Sequence, residues 1–180
     1  RQFDLANHIK NQLEALKIES HITQKGYLCA RIKATKGYEN CSSIGFLSHL
    51  DTASEVTGEN VNPKIIENYD GKTIPLNDEV SIKIEENPEL AKCQGQTIIT
   101  TDGTTLLGAD DKAGIAEIMT AIQILQDKNI PHGQIEIIFS PDEETGHGMD
   151  NVPLDWLESK QCYTVDGGDL GEIEAECFNA

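Results

Sequence analysis

Basic residues are scarce in this sequence of 180 residues: 14 Lys and Arg stand against 31 Asp and Glu, a formal charge of −17. Phosphate contacts need cationic side chains, so this balance argues against binding of nucleic acid or of an anionic membrane. It favours cations as ligands, either metal ions or substrates that carry an ammonium group. No stretch approaches the ~20 apolar residues of a membrane helix. No basic-then-apolar secretory segment stands at the start. The five cysteines (Cys29, Cys41, Cys93, Cys162 and Cys177) are odd in number and form no C-x-x-C pair. That usage fits reduced thiols in the cytoplasm and speaks against a disulfide framework or a thiolate zinc site. Repeats and low-complexity tracts are also missing. So is the spaced Asp/Asn loop with a central Gly and terminal Glu that binds calcium.

Apolar residues make up 38% of the chain, enough for a globular core. Phe3, Leu5, Ala6, Ile9, Leu13 and Leu16 lie near helical spacing, which predicts an amphipathic helix over 3–17. Strands are expected at Ser20–Thr23 and Tyr27–Lys33, with a turn at Gly26, and a buried strand at Ile44–Ser48. Residues 51–96 are polar and read as a long excursion with short strands at most. Thr97–Thr101 is β-prone and ends at the turn pair Asp102-Gly103. A second helix is expected from Lys112 to about Asp127, on the stripe Ile115, Ile118, Met119, Ile122 and Leu125. Beyond it come a strand at Ile135–Phe139, a short helix at Val152–Ser159, a strand at Cys162–Val165 and a weak final strand at Glu172–Phe178. Strands alternating with helices predict a three-layer α/β/α fold, with helices on both faces of a mostly parallel mixed sheet.

Three of the predicted strands run into chemistry. Strand 44–48 leads to His49-Leu50-Asp51, strand 135–139 to Asp142-Glu143-Glu144, and strand 162–165 to Asp166. Asp110-Asp111 precedes the second helix, where it suits an N-terminal cap as well as a ligand pair. Ligand sites in open α/β sheets lie beyond the carboxyl ends of the strands. One imidazole among several carboxylates is costly unless a cation neutralises it, and the donor set suits zinc, cobalt or manganese.

The stretches Ser48-His49-Leu50-Asp51-Thr52, Leu107–Gly114, Asp142-Glu143-Glu144 and Thr164–Gly168 together resemble the M20 metallopeptidases. Gly58–Pro63, Glu67-Asn68-Tyr69 and Thr97–Ala116 resemble the aminotripeptidase branch of that family. The resemblance runs over most of residues 10–180. It implies a two-zinc centre in which His49 and Asp166 hold the first ion, Asp110 bridges both, and Glu144 binds the second. It implies that Asp51 orients His49, that Glu143 is the general base, and that a cis peptide follows Asp110. Bound metal lowers the pKa of a water from ~16 toward ~7, and a Glu that is not a ligand can then relay its proton.

The implied activity is release of the N-terminal residue from tripeptides. Other M20-type activities (dipeptidase, carboxypeptidase or N-acyl amino acid deacylase) share the same motifs, and a non-catalytic metal-binding module is the reading from another class. The family's later histidine ligand has no counterpart among His8, His21, His132 and His147. The chain is thus expected to be part of a catalytic domain, without its N-terminal start, the lid domain and the C-terminal remainder.

Overall fold

The computed structural model describes residues 2–168 and 171–175. By contacts the chain divides into two compact units, residues 1–52 with 109–180 and residues 53–108.

The first unit is built on a five-stranded sheet. Its strands are β1 (Glu19–Ile22), β2 (Leu28–Ile32), β3 (Ile44–His49), β8 (Ile135–Ser140) and β9 (Cys162–Thr164), in the order β1-β2-β8-β3-β9. β1 pairs with β2 and β2 with β8 antiparallel, whereas β3 runs parallel to both β8 and β9. The sheet is therefore mixed, as expected, with half of its pairings parallel. Gly26, at φ 92, makes the tight return between β1 and β2.

Helix α1 (Gln2–Ala15) buries Ala6, Ile9 and Leu13, one stripe at helical spacing. It closes on Lys17 at φ 61, with the Ile18 amide reaching back to the Leu13 carbonyl at 2.9 Å. Helix α2 (Ala109–Asp127) closes the same way through Asn129 at φ 49, with the Ile130 amide on the Leu125 carbonyl at 2.9 Å. Asp110 and Asp111, inside the bounds of α2, have non-helical backbone angles.

Both helices join one apolar cluster. Ala6, Ile9 and Leu13 of α1 and Ile115, Ile118 and Ile122 of α2 pack with Leu28, Ala30, Ile135, Ile137 and Phe139. Each fully buried aliphatic side chain there stabilises the fold by ~1.5–3 kcal/mol. Strand alternation sends Cys29 and Ile138 to the opposite side, where Tyr27, Leu47, Val152, Trp156 and Leu157 cover them. Among the described residues the second face is thus covered by the 152–157 segment and not by a further long helix.

That segment departs from the helix expected at Val152–Ser159, because only Leu154–Trp156 forms a 3₁₀ turn. The amides of Glu158 and Ser159, which a helix would use, donate instead to the fully buried carboxylate of Glu136 at 2.9 and 2.7 Å. Arg31 completes this arrangement. Its guanidinium lies 2.6 Å from Glu136 Oε1 and 4.6 Å from the centre of the Trp156 ring. Residues 172–175 carry no strand, and the rest of the strand expected at Glu172–Phe178 lies outside the described residues.

The second unit follows the expectation of short strands. β4 (Lys64–Ile66) pairs antiparallel with β7 (Ile98–Thr100), and β5 (Ile74–Pro75) with β6 (Ser81–Ile82). Side-chain turns hold it together: Asp102 accepts from Asn62 at 3.0 Å and from the Thr104 amide at 3.0 Å. No helix of the described residues is long and apolar enough to cross a membrane.

Candidate metal centre

The parallel register of β3, β8 and β9 brings their carboxyl ends to one edge. His49, the last residue of β3, stands opposite Ser140, the last of β8. The Leu50 amide extends that pairing to the Ser140 carbonyl at 2.8 Å, and the Val165 amide reaches the Leu47 carbonyl at 2.8 Å. Three loops leave this edge together, carrying His49-Leu50-Asp51, Asp142-Glu143-Glu144 and Asp166.

His49, Asp110 and Asp166 converge there, with one ligand atom of each within 4.8 Å of the others. His49 Nε2 lies 2.8 Å from Asp110 Oδ1 and 3.7 Å from Asp166 Oδ2. Glu143 stands at the margin, its Oε2 3.9 Å from Nε2. The imidazole is buried whereas the Asp110 side chain is 70% exposed, so the cluster opens toward solvent on its carboxylate side.

Asp51 lies beneath the cluster. His49 Nδ1 is 3.0 Å from the Asp51 carbonyl oxygen and 3.4 Å from its carboxylate. A proton on Nδ1 donated to that carbonyl leaves Nε2 as the coordinating nitrogen. The carboxylate has other work: it accepts the Glu143 amide on Oδ1 and the Glu144 amide on Oδ2, each at 3.0 Å. Glu144 enters the site through that amide, and its carboxylate is not one of the three converging groups.

Asp110 and Asp111 face different neighbours. The peptide bond between them is cis. Asp110 faces His49. Asp111 caps the helix, its Oδ1 accepting the Gly114 amide at 3.1 Å. Its other oxygen accepts the Ser48 hydroxyl and the His49 amide.

Gly114 has a further function. A Cβ at that position would collide with the Val165 carbonyl oxygen, so only glycine lets α2 approach the strand end that carries Asp166. The sequence left two signals of these supporting residues unused: a serine ending an apolar strand run, and a glycine within an apolar helical stripe. Tyr27 is a third supporting residue. Its buried hydroxyl donates to the Gly148 carbonyl at 2.9 Å and accepts the Asn151 amide at 3.2 Å, which anchors the far end of the Glu143–Glu144 loop.

The electrostatics are those of crowded acids around one base. Burial opposes charging of His49, but the hydrogen bond to Asp110 and the fields of Asp166, Asp111 and Asp51 outweigh it and raise its pKa. Burial raises the pKa of Asp166, helped by Asp110 and opposed by His49. Burial likewise raises that of Glu143, with His49 opposing and Asp166 and Glu144 adding. An imidazole nitrogen and two carboxylate oxygens crowded at one open site form a donor set that suits a divalent cation such as zinc.

A model of the peptidase family M20/M25/M40 matches residues 98–165. Peptidase T of Geobacillus thermodenitrificans is 50% identical over 183 residues, covering 99% of this chain and 44% of that protein. Peptidase T of Escherichia coli strain SE11 is 50% identical over 182 residues, with the same two coverages of 99% and 44%. The crystal structure of aminopeptidase PepT from Bacillus cereus superposes with a TM-score of 0.68 at 29% identity, over 91% of this chain and 37% of that one.

Over the length they share, the sequence and fold are similar to those of the M20 peptidase family. Within that class the chain is peptidase T-like. It spans less than half the length of these relatives.

Proposed function

We propose that the protein is a metal-dependent aminopeptidase that releases the N-terminal residue from tripeptides. The observation that carries this reading is the convergence of His49, Asp110 and Asp166, with Glu143 beside them, in a chain 50% identical to proteins named Peptidase T.

His49 and Asp166 would hold one ion, Asp110 would serve two, and Glu144 would contribute to the second. When bound, the metal, zinc with cobalt or manganese as substitutes, polarises the scissile carbonyl and acidifies the attacking water. Glu143, half exposed at the margin of the cluster, would act as the general base that takes the water's proton and passes it to the leaving amine. Asp51 keeps the base in register by holding the two amides of its loop, and its carbonyl keeps Nε2 of His49 facing the carboxylates.

These residues would form the metal-holding part of a catalytic domain. In a protein of the relatives' length, a further histidine ligand and a lid domain would come from outside this stretch. A cytoplasmic setting is supported by Cys29, Cys41, Cys93 and Cys162, which are all free thiols.

The test is an assay of the natural-length, zinc-loaded protein on di-, tri- and tetrapeptides and an N-acetyl amino acid. Cleavage of tripeptides from the N-terminus, lost in Glu143→Gln with metal still bound, is the expected result. Cleavage confined to another substrate sinks the tripeptide assignment. No hydrolysis by a metal-loaded protein sinks the enzyme.

A further inference from the structure

Asp111 sits beside the cluster but turns away from it. Its side chain is 3% exposed and that of Ser48 1%. Oδ2 of Asp111 accepts the Ser48 hydroxyl and, at 3.1 Å, the His49 amide, while Oδ1 accepts the Gly114 amide at 3.1 Å. Capping α2 requires only the Gly114 bond. The bonds to Ser48 and His49 are surplus to a cap, and both come from the end of β3. A buried carboxylate is expensive unless fully hydrogen-bonded, and here the satisfying donors tie the strand that carries His49 to the helix start that carries Asp110.

The geometry points to Asp111 and Ser48 as a positioning pair that fixes His49 relative to Asp110 and so sets the affinity and shape of the metal centre. This rests on the proposed reading of His49 and Asp110 as metal ligands. Neither Asp111 nor Ser48 touches the ion on this account. They act through the 2.8 Å spacing between His49 Nε2 and Asp110 Oδ1.

Ser48→Ala removes a donor without adding bulk. Asp111→Asn keeps the shape but turns an NH₂ group toward either the Gly114 amide or the Ser48 and His49 donors. Ile138→Val, on the opposite sheet face, serves as a control for loosened packing. The natural-length proteins, stripped of metal, are titrated with Co²⁺ by visible absorption and with Zn²⁺ against a competing chelator. Melting temperatures are recorded in parallel.

Ser48→Ala is expected to stay folded, to bind metal ~10–100-fold more weakly and to shift the Co²⁺ absorption bands. Asp111→Asn should lose at least as much, and Ile138→Val should keep wild-type affinity and spectrum. Wild-type affinity and spectrum in folded Ser48→Ala overturn the inference. An equal loss of affinity in Ile138→Val also overturns it, since the effect is then one of general packing. Wild-type protein that binds neither ion overturns the functional reading and this inference with it. Wild-type protein that binds normally while the variants are unchanged overturns the inference alone.

Discussion

The carboxylate of Asp51 grips the backbone of Glu143: Oδ1 accepts the Glu143 amide at 3.0 Å, and Oδ2 takes the Glu144 amide at the same distance. The backbone carbonyl of Asp51 meanwhile faces the His49 ring. One residue thus supports both the buried imidazole and the loop that bears the proposed base.

Asp51→Asn puts an NH₂ group against one of those two amide donors. We expect kcat to fall by about 100-fold or more, because misplacing a reacting group by ~1 Å costs that much. Stability should fall by ~1–3 kcal/mol, the cost of a buried donor left without an acceptor. Steady-state kinetics and a denaturant titration check both. A variant with wild-type kcat would remove Asp51 from the mechanism.

Gly114→Ala should be among the most damaging small substitutions in α2. The added methyl meets the Val165 carbonyl, so either the helix start or the end of β9 has to move. Overpacking of this kind costs ~1–3 kcal/mol. Asp166 follows Val165 directly, so metal affinity should fall together with stability. Isothermal titration with Zn²⁺ reads the affinity, and affinity that holds while stability falls would contradict the placement of Asp166.

Glu136 makes acid sensitivity predictable in sign. Burial pushes its pKa up, but the hydrogen bonds from Ser159, Arg31 and the Glu158 amide prevail and hold it below the ordinary carboxylate value. A group with a depressed folded pKa stabilises the fold above its unfolded pKa, ~4.3 for Glu. That contribution is lost as pH falls through the folded value. Glu136→Ala should cost ~1–3 kcal/mol at pH 7, because it leaves the Glu158 and Ser159 amides without their acceptor, while Arg31 keeps Glu158 and the Trp156 carbonyl as partners. The gap between wild type and variant should narrow on acidification below pH ~4. Urea unfolding of both proteins across that range measures it, and a gap that widens in acid would refute the assignment.

Cys29 should resist alkylation in the native protein. Its thiol is fully buried, and burial pushes its pKa up to about 12. The reactive thiolate is then a very small fraction at pH 8. Iodoacetamide labelling followed by peptide mass spectrometry should find Cys29 unmodified until the protein unfolds. Labelling of Cys29 at the denatured rate under native conditions would show that the face formed by Tyr27, Cys29 and Ile138 opens readily.

His49, Glu143 and Asp166 could be singled out because each comes soon after a strand that the sequence announces by its own pattern, whereas Asp110 stands at the start of a helix, where an acid also reads as a cap. Ile44–Ser48 and Ile135–Phe139 are apolar runs, and His49 and Glu143 come just after them. The supporting network was less legible because its partners are remote. Ser48 and Asp111 are 63 positions apart, and Asp51 and Glu143 are 92 apart. No local period links such pairs.

The helix expected at Val152–Ser159 failed for a related reason. Its amides were claimed by Glu136, a charge on a strand whose other residues are mostly apolar. The antiparallel insertion of β2 between β1 and β8, and the packing of both helices into one cluster, depend on long-range pairing that local pattern does not encode.

Strand β9 has three residues and, among the described residues, pairs with β3 alone. Asp166 hangs from its end. On the proposed reading, an ion held by His49 and Asp166 also rivets this shortest strand of the sheet to its neighbour. Occupancy of the centre and fraying of β9 are then a single linked equilibrium. The amides of Cys162–Val165 would exchange with solvent faster as the ion is withdrawn, so the sheet margin itself becomes a gauge of metal loading.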